Sequence, residues 1–430
     1  MSRVIPDLEY LIRSKILANS NGMRLDSQQF LIERITNSNT MHSKPLVTLR
    51  DIEDFPRKFP YQTGARIRTC NLHRGQHKLL LSEIEFLTLV TECYRNSISG
   101  LFGTEKFPHD VVVYAGAAPS THTYKLWKMF PHLQFVLIDP ANFEIDLEGN
   151  TNVVRDITNV KNACDVVRND KRTPIFIING YMTEDLAIQF SKLNPIFISD
   201  IRTNLTGNLP TDVDKVWNLA QQTLWVNLIQ AKMYMLKIPA YYYEPTGFDL
   251  DNPVNKVAKD FLKETKELYP MLDFVQKYRD GLIMCPKGEF FIQCFAPTKS
   301  TELRLIGYKP NELMHIDNSL IENKMFYFNN IVRSFYSFEN RFANSAVGFD
   351  YCHDCAKESY IMGRYAGVYN VSNEKIITLL EDFHTKLNGT SLYQSSSGQF
   401  EHGHNGGNLI NFLSNLHTDP QETPRRYNRF

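Results

Sequence analysis

No stretch of the 430 residues stays apolar for the roughly 20 positions that span a bilayer. The longest apolar runs, such as Ile175 to Ile178, are only strand-length, so no membrane segment is expected. Charge of one sign is lacking too. Lys plus Arg number 47 and Asp plus Glu 47, which excludes a general basic field as the means of gathering nucleic acid. Any RNA binding would rest on a local basic face and a specific pocket. The seven cysteines, at 70, 93, 164, 285, 294, 352 and 355, form no regular framework. With no apolar leader after Met1, a reducing compartment is expected. Zinc-type spacing is missing: Cys352-His353-Asp354-Cys355 has no second Cys or His pair, and His402 and His404 sit in a polar tail, so no metal is expected. There is no internal repeat. What is there is 43% apolar content, enough for one large core or two modest ones, and a single catalytic domain with extensions is the expectation.

Residues 1–50 mix charged and apolar positions in a helix-like pattern (Leu8, Leu11, Ile12, Ile16) and read as an N-terminal extension. From His77, the positions Leu80, Ile84, Leu87, Val90 and Tyr94 recur at helical spacing, and Gly100 to Pro108 breaks the pattern. Apolar runs follow at Val111–Tyr114, Phe135–Ile138, Ile175–Ile178 and Ile196–Ile198, with a helical pattern at Tyr124–Phe130. A further helix is predicted over 212–231, a strand over Met233–Ile238 and two closing strands over Phe290–Phe295 and Leu303–Tyr308. Alternating strand and helix predicts an α/β fold: a mostly parallel, doubly wound sheet with helices on both faces. The domain is expected over 51–388. Residues 389–430, rich in Ser, Gly, His and Asn, read as a low-complexity disordered tail.

Three strand ends carry polar groups. Val111 to Tyr114 runs into Ala115-Gly116-Ala117-Ala118-Pro119-Ser120-Thr121-His122, a small-residue turn of the kind that lets a nucleoside cofactor approach backbone N–H groups. The next strand ends in Asp139, at the distance where a carboxylate grips a ribose diol. Another ends in Asp200-Ile201-Arg202, and Lys237 closes a fourth. A lysine desolvated at such a mouth can serve as a base. Each has a plainer reading: an ordinary strand-to-helix turn, an Asp200 that caps the next element, a Lys237 that snorkels at an edge. The same caution attaches to Lys78 and Glu302 taken singly.

In this order, Gly75-Gln76-His77-Lys78-Leu79-Leu80-Leu81, Tyr114 to His122, Ile198-Ser199-Asp200-Ile201-Arg202, Leu236-Lys237 and Ser300-Thr301-Glu302-Leu303-Arg304 resemble the poxvirus family of cap-specific mRNA nucleoside-2′-O-methyltransferases, which double as regulatory subunits of the poly(A) polymerase. The match is collinear from about Phe59 to Met362. The resemblance implies a Rossmann-like fold dependent on S-adenosylmethionine. It implies a catalytic set in which Lys237 activates the 2′-hydroxyl, Asp200 and Glu302 tune and orient it, and Lys78 positions the ribose. Cofactor contacts carried over are Gln76, Tyr114, Gly116, Ser120, His122, Asp139, Ile201 and Arg202. Ser120 stands where the family has glycine, and Pro140-Ala141 where it has glycine and arginine.

For the 7-methylguanosine cap, the family stacks the cationic base between two rings and sets carboxylates against its N–H groups. Tyr242, Glu244 and Glu322 stand at one ring and two carboxylates, with Phe55 and Phe59 as candidates for the second ring. Without that context Tyr241-Tyr242-Tyr243 is equally a packed aromatic cluster. Lys309, Arg333 and Arg341 are candidates for an RNA face. The partners implied are m7G-capped mRNA and the catalytic subunit of a viral poly(A) polymerase. The setting implied is the host cytoplasm, and the virion, of a large DNA virus. Two alternatives stay open: a processivity subunit of the polymerase, and a 2′-O-methyltransferase for ribosomal or transfer RNA.

Overall fold

Apolar runs flanked by helices do assemble into one open sheet. The computed structural model describes residues 29, 33–34, 41–55, 75–98, 110–203, 210–241, 271–297, 300–343 and 349–388. After β1 (Met41–His42) comes α1 (Gly75–Ile98), then β2 (Asp110–Ala115), α2 (Thr123–Met129), β3 (Leu133–Asp139) and β4 (Val154–Asp156). The chain continues with α3 (Ala163–Asn169), β5 (Ile175–Asn179), α4 (Glu184–Ser191), β6 (Ile196–Ser199), α5 (Asp212–Ile229), β7 (Tyr234–Ile238) and α6 (Met271–Arg279). It closes with β8 (Leu282–Phe291), β9 (Leu303–Asp317), α7 (Asn318–Tyr327), β10 (Ser337–Phe338), α8 (His353–Tyr369) and α9 (Asn373–Asn388).

Eight strands form the main sheet in the order β4-β5-β3-β2-β6-β7-β9-β8. The pairs from β4 to β7 are parallel, whereas β9 runs antiparallel to both β7 and β8. The expected α/β architecture is therefore present. β2 pairs β3 on one side and β6 on the other, so the connections diverge at β2, and the crevice beyond its carboxyl end is where such sheets take ligands.

Side-chain parity gives each face its own core. Val111, Val113 and Ala115 join Val136, Ile138, Phe176 and Phe197 under α5 on one face. Val112, Tyr114, Phe135, Leu137, Ile196, Ile198, Met235 and Ile306 pack against Leu80, Leu81, Ile84 and Leu87 of α1 on the other. Strands buried on both faces read as continuous apolar runs, which is why they were visible in the sequence.

Two expected strands shift. The strand expected over Phe290–Phe295 occupies Leu282–Phe291, its register broken around Lys287, where Lys287-Gly288-Glu289 interrupts the apolar pattern. Its partner extends past Tyr308 to Asp317 as a half-exposed alternating stretch. β1 pairs with β10, and Leu49, Ile52 and Phe55 are core residues. Residues 389–430 lie outside the described residues.

Candidate active site

Parity also builds the site. Asp200 continues the row Ile196–Ile198 beyond β6, Lys237 continues the row of Met235 in β7, and Arg304 and Glu302 continue that of Ile306 in β9. Lys237 and Arg304 are cross-strand partners, so their side chains rise on the same face. The backbone N–H of Asp200 donates to Ala115 O at 3.0 Å, fixing the aspartate beside the end of β2. This is the face on which α1 packs, and α1 brings Lys78 to it.

The four expected catalytic residues form one buried network. Lys78 Nζ donates to Glu302 Oε1 at 2.7 Å, and Lys237 Nζ lies 3.0 Å from Asp200 Oδ1 and 3.8 Å from Glu302 Oε2. Sequence reasoning missed the residue that ties them together. The Arg304 guanidinium, 1% exposed, donates to Asp200 Oδ1 at 2.6 Å and to Glu302 Oε1 at 3.2 Å. Gln293 accepts from Arg304 Nε at 2.9 Å and donates to Glu302 Oε1 at 3.1 Å. Arg304 lay inside the quoted glutamate segment. Its spacing of two from Glu302 in a predicted strand was the signal that they share a face; nothing in the sequence marked Gln293.

The electrostatics follow from burial. Desolvation works to raise the Glu302 carboxyl, yet Lys78, Lys237 and Arg304 outweigh it and hold the group well below the ordinary carboxylate range. Asp200 is likewise lowered, with Arg304 and Lys237 overcoming burial and the repulsion of Glu302. Burial, reinforced by Arg304, lowers the Lys78 ammonium despite Glu302 beside it. Three cations thus face two carboxylates.

Two adjoining cavities open at this edge. The larger, about 730 Å³, is lined by Gly116, Asp139, Pro140, Tyr181, Met182, Trp217, Trp225 and others. The smaller, about 320 Å³, is lined by Lys237, Glu302, Lys215, Asn218, Ser300 and others. Ile201 and Arg202 belong to both. Arg202 is largely exposed and reaches Glu302 Oε2 at 3.4 Å.

Of the expected cofactor residues, Gly116, Asp139, Ile201 and Arg202 line the larger cavity. Asp139 is aimed by two backbone donors, Ala118 N at 3.0 Å and Ala141 N at 2.8 Å. Gly116 has φ +76°, and a Cβ there would stand 2.7 Å from Ile201 N. Only glycine lets the two strand ends approach so closely. Tyr114, Ser120 and His122 lie buried beneath the turn. Burial and the neighbouring Glu83 push the Tyr114 phenol well up. His122 Nδ1 is 2.9 Å from Gln76 Oε1, and its Nε2 is 2.7 Å from Glu83 Oε2, so Gln76 is linked to the turn through His122. Ser120 has φ +58°, the left-handed region glycine favours, and its hydroxyl donates to Ala117 O at 2.5 Å. That bond helps hold the serine in this conformation.

Tyr242, Glu244 and Phe59 lie outside the described residues. Glu322 is buried on α7 and acts on Lys215, whose ammonium is lowered by burial against Asp212 and Glu322. Phe55 is a core ring stacked on Phe326 at 5.5 Å and Tyr327 at 6.0 Å, which removes it as the second cap-stacking ring. Arg333 is no RNA contact either. It is buried, and its Nη2 donates to Asp354 Oδ2 at 2.6 Å. Lys309 pairs with Glu312 at the surface, and Arg341 bonds Asn373. Cys352 Sγ caps α8 by accepting from Cys355 N.

A parallel sheet that switches direction at β2, with a carboxylate at the end of the neighbouring strand and a lysine-carboxylate network beside the crevice, defines a Rossmann-like methyltransferase fold. Residues 41–244 and 246–389 match the family model described as poly A polymerase regulatory subunit, and the chain belongs to that family. It is similar to the cap-specific mRNA (nucleoside-2′-O-)-methyltransferase of Myxoma virus (strain Lausanne), 26% identical over 298 residues, 67% of this chain and 70% of that protein. The Fowlpox virus (strain NVSL) protein of the same name is 26% identical over 325 residues, 73% of this chain and 85% of its own.

Proposed function

We propose that this protein transfers a methyl group from S-adenosylmethionine to the ribose 2′-hydroxyl of the first transcribed nucleotide of m7G-capped mRNA. The observation that carries the reading is the pair of cavities sharing Ile201 and Arg202, the smaller lined by Lys237 and Glu302. A nucleoside fits the larger one. Asp139 is pre-aimed there, Gly116 lines it, and the Trp225 indole N–H in its lining is buried without a hydrogen-bond partner among the described residues. When bound, S-adenosylmethionine supplies an electrophilic methyl carried on a sulfonium.

This chain's residues do the rest. Asp139 holds the ribose diol of the cofactor, and Ile201 and Arg202 form the wall across which donor and acceptor meet. Lys237 orients the acceptor 2′-hydroxyl and takes its proton as the oxygen attacks. Asp200 and Glu302 hold the Lys237 nitrogen in position from two sides and stabilise the ammonium that forms as it takes the proton. Arg304 and Gln293 fix both carboxylates, so little reorganisation is needed during transfer. Lys78 lines neither cavity and acts through Glu302. Tyr242, Glu244 and Glu322 are assigned to the cap, the ring by cation–π stacking and the carboxylates by accepting N–H groups.

The family's description favours a second role alongside the first: binding the catalytic subunit of a poly(A) polymerase and supporting tail elongation. Both roles set the protein in the host cytoplasm and in the virion. The test is methyl transfer from labelled S-adenosylmethionine to short RNAs with and without the 7-methylguanosine cap, followed by nuclease mapping. Cap-dependent label on the first ribose supports the reading. Cap-independent label moves the substrate to another RNA, and absence of label with cap binding leaves the subunit role alone.

A further inference from the structure

Behind Lys78 stands a side-chain cluster that the methyl-transfer reading does not use. His77, in the first turn of α1, Glu358 of α8 and His384 of α9 converge with exposures of 0%, 0% and 3%. His77 Nε2 is 2.8 Å from Glu358 Oε1, and His384 Nε2 is 3.1 Å from Glu358 Oε2. All three donor atoms lie within 4.8 Å of one another. The surroundings are aromatic: Phe295 stacks on His77 at 5.3 Å, and Phe383 and Phe349 approach His77 and His384 edge-on at 6.3 and 5.4 Å.

We infer that this cluster is a structural site for one divalent transition-metal ion, zinc by its donor chemistry. Two imidazole nitrogens and a carboxylate make a set that zinc accepts, whereas magnesium and calcium prefer oxygen throughout. Tetrahedral bonds of ~2.0–2.2 Å place neighbouring donors roughly 3.3 Å apart. The His–Glu separations of 2.8 and 3.1 Å reach that by side-chain shifts of a few tenths of an ångström. Glu358 turns one oxygen to each imidazole, so its carboxylate supplies the two remaining donors.

The aromatic box removes competing water, which strengthens the attraction between cation and carboxylate. Each ligand comes from a different helix, so the ion would pin the first turn of α1, with Gln76 and Lys78 on either side of His77, to the carboxyl-terminal helix pair. Metal binding would then be linked to folding of that face. Without a metal, the same atoms form only a hydrogen-bonded His–Glu–His chain, and the two cases differ measurably.

The test uses the full chain, without a polyhistidine tag, made in zinc-supplemented medium. Metal is counted by mass spectrometry after gel filtration, and melting is followed before and after chelation and on adding Zn²⁺ alone. About one zinc per chain, a melting temperature lowered by chelator and restored by Zn²⁺, and loss of the metal in His384→Gln support the site. Metal well below one per chain, together with melting indifferent to chelator and to added Zn²⁺, overturns it in favour of the hydrogen-bonded chain. If His384→Gln does not fold, the Zn²⁺ dependence of the wild-type melting temperature decides alone. Substitution with Co²⁺ gives a further readout: tetrahedral visible absorption supports the assignment, and absence of bound Co²⁺ contradicts it.

Discussion

Gly116→Ala puts one methyl group where β2 and β6 come closest. The added Cβ would stand 2.7 Å from Ile201 N and 2.9 Å from both Asp200 C and Ile201 Cα, against 3.4 Å for ordinary contact. The backbone at 200–201 would have to retreat by about 0.7 Å, the difference between 3.4 and 2.7 Å. An alanine held at φ +76° adds left-handed strain of about 1–2 kcal/mol. Overpacking against rigid backbone adds about 1–3 kcal/mol. We expect a loss of roughly 2–5 kcal/mol in denaturant melts. The displaced segment carries Asp200 and the wall between the cavities, so S-adenosylmethionine binding measured by calorimetry should weaken about tenfold or more, and methyl transfer should fall by about a hundredfold. Gly149→Ala is the control: φ is +83° there, but among the described residues nothing lies within 4 Å. It should carry only the strain and leave cofactor affinity unchanged. A Gly116→Ala protein with wild-type melting and wild-type affinity would refute the close approach of the two strand ends.

Further outcomes follow from the buried charges. Lys237→Ala should lower methyl transfer by roughly 10²–10⁴-fold while S-adenosylmethionine still binds, as seen by single-turnover assay and calorimetry; full activity would remove Lys237 as the base. Asp354, held at about 2 against an ordinary 3.8 because Arg333 overcomes burial, should contribute about 2 kcal/mol that is present above pH 4 and lost as pH falls through about 2. Asp354→Asn should cost about 3–5 kcal/mol at pH 7 by leaving Arg333 buried and unpaired, and should flatten the acid limb of stability in urea melts at pH 7 and pH 3. An unchanged acid limb would show that this pair is not what titrates.

β2, β3, β5 and β6 were legible because each is largely buried on both faces and so is apolar over most of its length, as in Val111–Tyr114 and Ile175–Ile178, whereas the short, half-exposed β4 was not read. β8 was only partly legible, since Lys287-Gly288-Glu289 lies at a register break on the last strand of the sheet. Short helices such as α3 and α4 offer too few turns for a period to stand out. At the site, Asp139, Asp200 and Lys237 could be placed at strand ends from the runs before them. Arg333 looked like a surface cation because its partner, Asp354, belongs to a helix packed against it from elsewhere in the chain.

By itself the sequence determined the central strands of the sheet, that three of them end in polar groups, and which family's motifs those groups resemble. Local periodicity carries that much, because burial on a sheet face repeats every two residues. Only the tertiary structure decided that Lys78 meets Glu302 across 224 residues of chain and that His77 meets Glu358 across 281. It also decided that Arg304 and Gln293 bind the carboxylates together, and that Phe55 belongs to the core. Such contacts arise when separate elements pack, and no local pattern of residues encodes the partner that packing brings.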